Sequence, residues 1–453
     1  MVNRRHFLKV SGLAAFANHW LTACNRAPEN ALSASPLGPL LEDPKGYINL
    51  PAGFSYRVFS TAGSTMDDGL LVPTVCDGMA AFAGPNGTVQ LVRNHELTPG
   101  DKRANAFGPQ WERYGQVETQ KVYDSGDATL RPCGGTSTLT LDASCQKLLH
   151  HHLSLTGTVN NCSGGATPWG TWLSCEEIFT NPIGPLQKKH GYCFEVDPKV
   201  QGLVDPIPLT ALGCFKHEAV AFDLQTGNCY LTEDQGDGLL YRFIPETEGQ
   251  LKKGQLQVLA LRDLPRAKTN NHEQALFKPG EKHAVSWLNL ENPDPPEDTL
   301  RKDGFNLGAA QFSRGEGIAY DGSGALYFTC TTGGPGLQGQ VWCLTLGKNG
   351  QPDTLHLVCE PNDMDVMAMC DNLCVSPFGH LMIAEDGATE HKKILGVTPE
   401  GVVYPIAQHI ANKTELAGCC WSPDGKTFFF NVFDPGATIA VQGPWPHLSK
   451  RAT

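Results

Sequence analysis

A strand–turn–strand pattern recurs six times along this chain. In its clearest copy, Glu316–Thr329, an acidic residue opens an apolar run, a Gly-containing turn follows, and a second apolar run ends the unit. Short apolar runs joined by a tight turn predict a β-hairpin. The other copies span residues 218–234, 371–387, 415–431, 77–96 and 161–177.

Six hairpins of one kind predict radial repetition, and therefore an all-β fold: a six-bladed β-propeller with loop insertions between its blades. The opening strand of a blade normally lies nearest the central channel, so the acids that open these strands would converge on one axis. The acid at the far end of the hairpin, such as Asp234 for Glu218, returns beside the opening acid. Three long insertions, at 97–132, 178–213 and 244–312, are predicted between blades and could cap the channel.

Convergent carboxylates predict bound cations. Coulomb repulsion prevents several of them from staying ionised and unpaired in one place, so they must be protonated, paired or metal-bound. Oxygen ligands in such number suit hard cations, and Ca²⁺ best. The formal net charge of −12 agrees with cation binding and argues against a nucleic-acid partner. The composition, 40% hydrophobic and 18% charged, is that of an ordinary globular protein.

The N-terminus predicts export. Asn3–Lys9 has the paired arginines and following Phe-Leu-Lys of a twin-arginine signal, and the apolar run Val10–Leu21 comes next. Leu21–Cys24 has the form of a lipobox, with Cys24 as the lipidated residue. The alternatives are a basic N-terminal helix and simple cleavage after a small residue. We expect a signal peptide over 1–23, a tether over 24–45 and one domain over 46–453, held in the periplasm by a lipid anchor in the membrane.

Cysteine usage predicts reduced core thiols rather than a disulfide framework. Of the sixteen cysteines, removing Cys24 leaves an odd number spread over a large chain, and there is no CxxC motif. Several cysteines occupy strand positions where a small apolar residue would serve. Cys76, Cys162 and Cys175 stand beside the acidic hairpins, and whether any of them ligates a metal is left open by the sequence.

Six segments together resemble the alkaline phosphatases of the PhoX family: Leu50–Phe59, Asp77–Met79, Arg93–Glu96, Pro168–Glu177, Lys216–Glu218 and Asp371–Leu373. The resemblance extends from about residue 45 to Trp445, and Pro168–Glu177 is its most specific segment. It implies a six-bladed propeller, twin-arginine export, and a calcium- and iron-dependent cluster that hydrolyses phosphate monoesters. The chain is short for this family, which indicates a compact branch with trimmed insertions.

The candidate site residues combine position and resemblance. Glu96 corresponds to a metal ligand in the family pattern, and Glu176-Glu177 resembles the family's paired carboxylates. Adjacent strand residues face opposite ways, so we expect only one of that pair to face the cluster. The predicted metal ligands are Glu96, Glu176, Glu177, Glu218, Glu316, Asp371 and Asp386, with Glu415 as a weaker candidate.

The predicted catalytic residues are Arg314, Lys216 and Asn94. Arg314 is the first choice for substrate binding, because a guanidinium matches the oxygens of a phosphate. Lys216 stands two residues before Glu218, on the same side of an extended strand, and would place a cation beside a metal ligand. Asn94 lies in the same tripeptide as Glu96.

The sequence predicts a monomeric, metal-dependent phosphatase acting on a small-molecule phosphate ester. The twin-arginine export machinery and the membrane are its other expected partners. The chain has no zinc-binding histidine motif, no GxSxG and no phosphate-binding Gly-rich loop, which argues against the corresponding enzyme classes. Two alternatives remain, because a fold does not fix a chemistry: a calcium-dependent lactonase or esterase, and a non-catalytic propeller that binds a partner.

Overall fold

All six predicted hairpins are present. The structure is a computed structural model that describes residues 32–101, 103–127 and 130–446. The twin-arginine motif and Cys24 lie outside these residues. Three short strands precede the first hairpin: β1 Leu40–Leu41, β2 Ile48–Pro51 and β3 Ser55–Phe59.

Strands β4 to β26 form six blades in chain order. Blade 1 comprises β4 Cys76–Ala83, β5 Val89–His95, β6 Gly134–Leu141 and β7 Leu148–Thr158. Blade 2 comprises β8 Asn161–Ala166, β9 Trp172–Glu176 and β10 Cys193–Val196. Blade 3 comprises β11 His217–Phe222, β12 Cys229–Glu233, β13 Leu240–Thr247, β14 Gln250–Leu261 and the added β15 His283–Asn289.

Blade 4 comprises β16 Gly315–Tyr320, β17 Ala325–Cys330, β18 Gln340–Thr345 and β19 Thr354–Cys359. Blade 5 comprises β20 Cys370–Val375, β21 Leu381–Glu385, β22 Lys393–Val397 and β23 Val403–His409. Blade 6 comprises β24 Leu416–Trp421, β25 Thr427–Val432 and β26 Ala437–Gln442. The described helices are one α-helix, Leu300–Leu307, and the 3-10 turns Pro85–Gly87, Tyr114–Gln116, Thr119–Lys121 and Thr210–Leu212.

The blades close into a ring. The inner strands β4, β8, β11, β16, β20 and β24 each contact the next, and β24 contacts β4. Strand β3 completes blade 6 by pairing antiparallel with β26, so an N-terminal segment closes the ring. The predicted all-β propeller is thus confirmed. Its hydrogen-bonded sheets number five, however, because β15 pairs with both β14 and β19 and so joins blades 3 and 4.

Apolar side chains fill the space between neighbouring blades, and each of the six interfaces has its own buried cluster. Between blades 5 and 6, for example, Met382 and Ile394 pack with Phe428 and Phe430. Burial of apolar area is worth roughly 25 cal/mol per Å². Since every blade is covered on both faces, the ring stabilises all of its members together.

Two expectations about boundaries were wrong. The segment 97–132 lies within blade 1, between β5 and β6, while 178–213 contains β10 and 244–312 contains β14 and β15. Ordered structure also begins before residue 46, because β1 pairs with β2 and the Ser33 amide donates to the carbonyl of Val403. Strands β1 and β10 have only two and four residues, too few for period-2 patterning to be visible in the sequence. Within the part of the chain that the structure describes, no helix has the length and apolarity to cross a membrane.

Candidate metal centre

The inner strands share an irregularity at one end of the channel. In blades 1 to 5 the first paired residue of the inner strand is followed by a shift in register. A bulge of this kind re-aims the side chains that it carries. The residues at the start of these shifts are Asp77, Cys162, Glu218, Glu316 and Asp371. Five inner strands therefore each place an acid or a thiol at the same position of the blade, near one end of the channel.

The second strands add a further set of acids. The residues that directly follow β5, β9, β12 and β21 are Glu96, Glu177, Asp234 and Asp386. In three of these blades the preceding strand residue is also an acid, but it is fully buried within its own blade. Glu385, for example, accepts hydrogen bonds from the backbone amides of Ala368, at 2.9 Å, and Lys393, at 2.8 Å. The first acid of each pair is structural, and the second faces the channel.

Glu176 is accordingly misassigned as a metal ligand. Its Oε1 lies 2.6 Å from Nδ1 of His190 and accepts from the amide of Val159, while its Oε2 accepts from the amide of Gly191. Burial alone would lower the pKa of His190, but Glu176 and Asp124 outweigh it and raise that pKa to about 9. Glu176 therefore belongs to a buried ion-paired network, and its neighbour Glu177 is the member of the pair that faces the channel.

Three groups of side chains have ligand atoms close enough to share a cation. Within each group the atoms lie within 4.8 Å of one another. The groups are Cys162 with Glu177 and Glu218, Asp77 with Glu96 and Glu415, and Glu218 with Glu316 and Asp371. Glu218 belongs to the first and the third group and so links them. The second group lies close enough for the carboxylates of Glu218 and Asp371 to raise the pKa of Asp77, so the three groups form one centre.

Burial and mutual repulsion raise the pKa values of these acids and so favour their protonated forms when no cation is bound. Burial raises the pKa of Glu96 to about 7 and those of Glu177 and Asp371 to about 8, and neighbouring carboxylates add to the effect. The pKa values of Asp77, Glu218, Glu316 and Glu415 are raised well above their usual range for the same reasons. A cation bound here would reverse these shifts, since a ligand must be deprotonated.

Arg314 and Lys216 are the predicted cations that the structure brings to this centre. Arg314 donates from Nε and Nη2 to Asp234, at 2.8 and 3.1 Å, and from Nη2 to Glu316 at 2.8 Å. Nζ of Lys216 lies 3.2 Å from Oε1 of Glu177. Both side chains are about one-third exposed, so they stand at the open edge of the cluster.

Asn94, predicted as catalytic, lies outside the cluster and is fully engaged in packing. Its Nδ2 donates to the carbonyls of Cys162 and Ser163, and its Oδ1 accepts from Nε1 of Trp172 and the hydroxyl of Ser174. It is completely buried and ties blade 1 to blade 2. The amide therefore has no free atom for a substrate.

Of the three cysteines that the sequence left open, only Cys162 reaches a ligand group. Sγ of Cys76 lies near the carbonyl of Pro73 and the ring of His95, and Sγ of Cys175 lies 3.4 Å from that of Cys193. All fifteen described cysteines are free, and Cys374 alone among them is not fully buried. This agrees with the predicted core thiols.

The predicted ligands did not include two acids that the centre contains, Asp77 and Asp234, and Glu415 was only a weaker candidate. Asp77 and Asp234 occupy the opening and closing positions of their hairpins, so the repeat itself contained the signal. Glu415 is different. The register of blade 6 places Gly418 where the other blades carry the acid, and Glu415 enters from the loop before β24.

The channel is closed directly beneath the acids. Nδ2 of Asn372 on blade 5 donates to the hydroxyl of Ser163 on blade 2, across the axis, at 3.0 Å. Oδ1 of Asn372 accepts from the amide of Cys419 on blade 6 at 2.8 Å. Gly78 passes so close that a Cβ there would lie 2.5 Å from Cα of Ser163. Among the described residues, these contacts narrow the channel beneath the acids.

The fold and the site define a β-propeller with a multidentate acidic centre at one mouth of its channel. A sequence profile of one family, Alkaline phosphatase PhoX, matches residues 35–436. The chain belongs to this family. The match confirms the resemblance drawn from the sequence and, with it, the predicted class of phosphoric monoester hydrolases.

Solved structures support the fold. Pseudomonas fluorescens PhoX in complex with vanadate, a transition-state analogue, is 18% identical; the alignment covers 92% of this chain and 98% of that one, with a TM-score of 0.66. A gluconolactonase from Xanthomonas campestris is 12% identical, with coverage of 90% and 99% and a TM-score of 0.37. A luciferin-regenerating enzyme is 10% identical, with coverage of 86% and 96% and a TM-score of 0.43. The last two likenesses are too distant to carry an argument. A search of the curated proteins finds no match.

Proposed function

We propose that the chain hydrolyses phosphate monoesters at a multinuclear metal centre in the mouth of the propeller channel. The observation that carries this proposal is the convergence of buried and half-buried candidate ligands from all six blades: Asp77, Glu96, Cys162, Glu177, Glu218, Asp234, Glu316, Asp371, Asp386 and Glu415. So many acids cannot be ionised together in a buried site without cations. Membership of the phosphatase family supports the same reaction.

The donor atoms support calcium together with iron. The group of Asp77, Glu96 and Glu415 offers oxygen alone, which suits Ca²⁺. The group that contains Cys162 adds a softer sulfur ligand, which suits a transition metal such as iron. When bound, these cations would neutralise the charge of the phosphate and favour attack at phosphorus.

The chain's own residues hold and orient the substrate. Arg314 is fixed by Asp234 and Glu316, so its charge stands at the open edge of the centre without freedom to swing away. Lys216 is held in the same way by Glu177. These cations would bind the phosphate oxygens and stabilise the charge that develops in the transition state. The hydrogen bond between Asn372 and Ser163 crosses the channel beneath the centre, so the ester would enter and leave by the mouth on the opposite side.

The deciding experiment measures metal content and activity on one sample. The protein would be purified without chelator after export, analysed for its elements, and assayed with p-nitrophenyl phosphate. Iron and calcium together, with turnover that chelation abolishes, would support the proposal. Calcium alone without phosphatase activity would contradict it and favour the lactonase or the binding propeller, which a panel of lactones would separate.

We also propose export by the twin-arginine route, lipidation at Cys24 and a monomeric, periplasmic enzyme. The support is the order Arg4-Arg5, apolar run, Cys24 in the sequence. Replacing both arginines by lysine should retain the protein in the cytoplasm. Cys24→Ala should release it from the membrane fraction. Membrane association of the Cys24→Ala protein would contradict the anchor, and sedimentation of the released protein would report its oligomeric state.

A further inference from the structure

Lys392 is a buried lysine with unusual partners. It is 3% exposed, and its Nζ donates to two neutral carbonyls, those of Thr389 at 2.8 Å and Lys413 at 2.9 Å. Lysines are almost never this buried unless they are paired with a charge. An ammonium has three N–H donors, so these carbonyls leave one donor for another acceptor.

The surroundings of Lys392 connect it to the acidic centre. Burial lowers the pKa of Lys392, and the carboxylates of Asp386, Glu385 and Glu415 oppose that effect. Asp386 and Glu415 are also members of the centre. The two carbonyls that hold Nζ come from the loops before β22 and β24, so the ammonium is fixed between blades 5 and 6.

A cavity of about 430 Å³ lies at this point, within the size range of small-molecule sites. Asp386 and Glu415 line it, together with Lys392, Thr414 and Phe433. The cavity therefore shares two residues with the centre and lies between blades 5 and 6. A phosphate held at the centre could place the rest of its ester in this space.

We propose that this cavity is the leaving-group subsite, and that Lys392 is a catalytic residue whose third N–H donates a hydrogen bond to the ester oxygen as it leaves phosphorus. The inference rests on the proposed phosphatase function and deepens it. In the reaction, an oxygen from water forms a bond to phosphorus and the bond from phosphorus to the ester oxygen breaks. The leaving oxygen receives the electron pair of that bond and takes a proton, while the attacking water loses one. Lys392 remains protonated throughout.

The subsite points to a class of substrate. The oxygen of an aliphatic alcohol leaves as a strongly basic alkoxide and gains much from a buried charged donor, whereas a nitrophenolate is stable without one. We therefore infer that the preferred substrates of the enzyme are phosphate esters of aliphatic alcohols.

The test compares two esters of similar size on the same sample. The kcat/KM of Lys392→Met and Lys392→Arg would be measured with benzyl phosphate, which releases an alkoxide, and with p-nitrophenyl phosphate. Because one enzyme preparation serves both esters, their ratio does not depend on how much of the variant has folded. For Lys392→Met we expect benzyl phosphate turnover to fall about 10- to 100-fold more than p-nitrophenyl phosphate turnover, the loss of one charged hydrogen bond. Lys392→Arg should restore part of the ratio.

Lys426→Met is the matched control, since Lys426 is an exposed lysine of blade 6 whose partner is Asp424, and its ratio should equal that of the wild type. An equal loss with both esters in Lys392→Met, or no loss with either, would overturn the role of Lys392. If the wild-type chain hydrolyses neither ester, the phosphatase function itself is overturned, and this inference with it.

Discussion

Arg314 and Asp234 come from different blades and form a two-pronged pair, with Nε and Nη2 of the guanidinium 2.8 and 3.1 Å from the two carboxylate oxygens. The same Nη2 also donates to Glu316. One guanidinium thereby sets the relative position of acids on blades 3 and 4. A lysine at this position could carry the charge but could not span both acids.

The variant Arg314→Lys should therefore show how much of the contribution of Arg314 comes from its charge and how much from the geometry of its guanidinium. We expect the variant to keep its metals and lose on the order of 10- to 100-fold in kcat/KM for p-nitrophenyl phosphate, because charged hydrogen bonds worth about 1.5–3 kcal/mol are lost. Steady-state kinetics and elemental analysis of the same preparation check this. Wild-type kinetics in Arg314→Lys would show that the hydrogen bonds from the guanidinium to Asp234 and Glu316 have no role in catalysis.

Glu218 belongs to two ligand groups, so its removal should affect more than one cation. We expect Glu218→Gln to lose metal and activity together, because an amide has no charge and coordinates weakly in comparison with a carboxylate. Elemental analysis against Glu400→Gln, an exposed acid outside the centre, measures the loss. Full activity in a metal-replete Glu218→Gln protein would defeat the assignment.

Glu176 and Glu177 are adjacent but should respond in opposite ways. Glu176→Gln breaks a buried ion-paired network with His190 and should destabilise the fold by on the order of 3 kcal/mol. Glu177→Gln removes one of several repelling acids and should lower metal content without lowering the stability of the metal-free protein. Denaturant unfolding of the two chelator-treated variants distinguishes them. Equal unfolding midpoints would contradict the division between a structural and a ligand carboxylate.

The metal-free protein should become less stable as pH rises. The pKa values of Glu96, Glu177 and Asp371 are raised by burial to about 7, 8 and 8, from ordinary values of 4.5, 4.5 and 3.8. Between these limits the folded chain holds more protons than the unfolded chain, so the free energy of unfolding falls with pH over about 4 to 8. Thermal unfolding after chelation measures the slope.

Added metal should remove or reverse that slope, because the ligands deprotonate when they bind. A melting temperature of the chelated protein that stays constant over this pH range would show that these acids are not as strongly perturbed as the geometry indicates.

The hairpin repeat made most of the fold and much of the site predictable. Each blade places its first two strands and their acids in one short stretch of sequence, as in Glu218 and Asp234, so the pairing is local. The sequence predicted that only one of Glu176 and Glu177 faces the metal centre. Which of the two does so depends on the strand register, which the structure supplies. The prediction of Asn94 as a catalytic residue failed for a similar reason. It rested on the position of Asn94 near Glu96 in the sequence, whereas the four hydrogen bonds of its side chain are made with residues of blade 2.

Other features depend on distant contacts that no local pattern encodes. Glu415 reaches Asp77 and Glu96 across the junction of the last and first blades. Strand β15 joins blades 3 and 4 by pairing with β14 and with β19, which is far from it in the sequence. Lys392 gave no sequence signal, because a lysine beside a strand is usually solvated and only the loops before β22 and β24 bury it.

The pairing of β3 with β26 also has a consequence for the order of assembly. Blade 6 is complete only when residues 437–442 have been synthesised and can pair with residues 55–59. The group of Asp77, Glu96 and Glu415 lies at the junction of blades 6 and 1. A chain that still lacks residues 437–442 contains all three of these acids, but the blade before which Glu415 lies is missing β26 and, with it, the pairing to β3. We therefore expect this cation site to form fully only when the last strand is in place, so that a chain truncated before residue 437 retains less metal than the full-length chain.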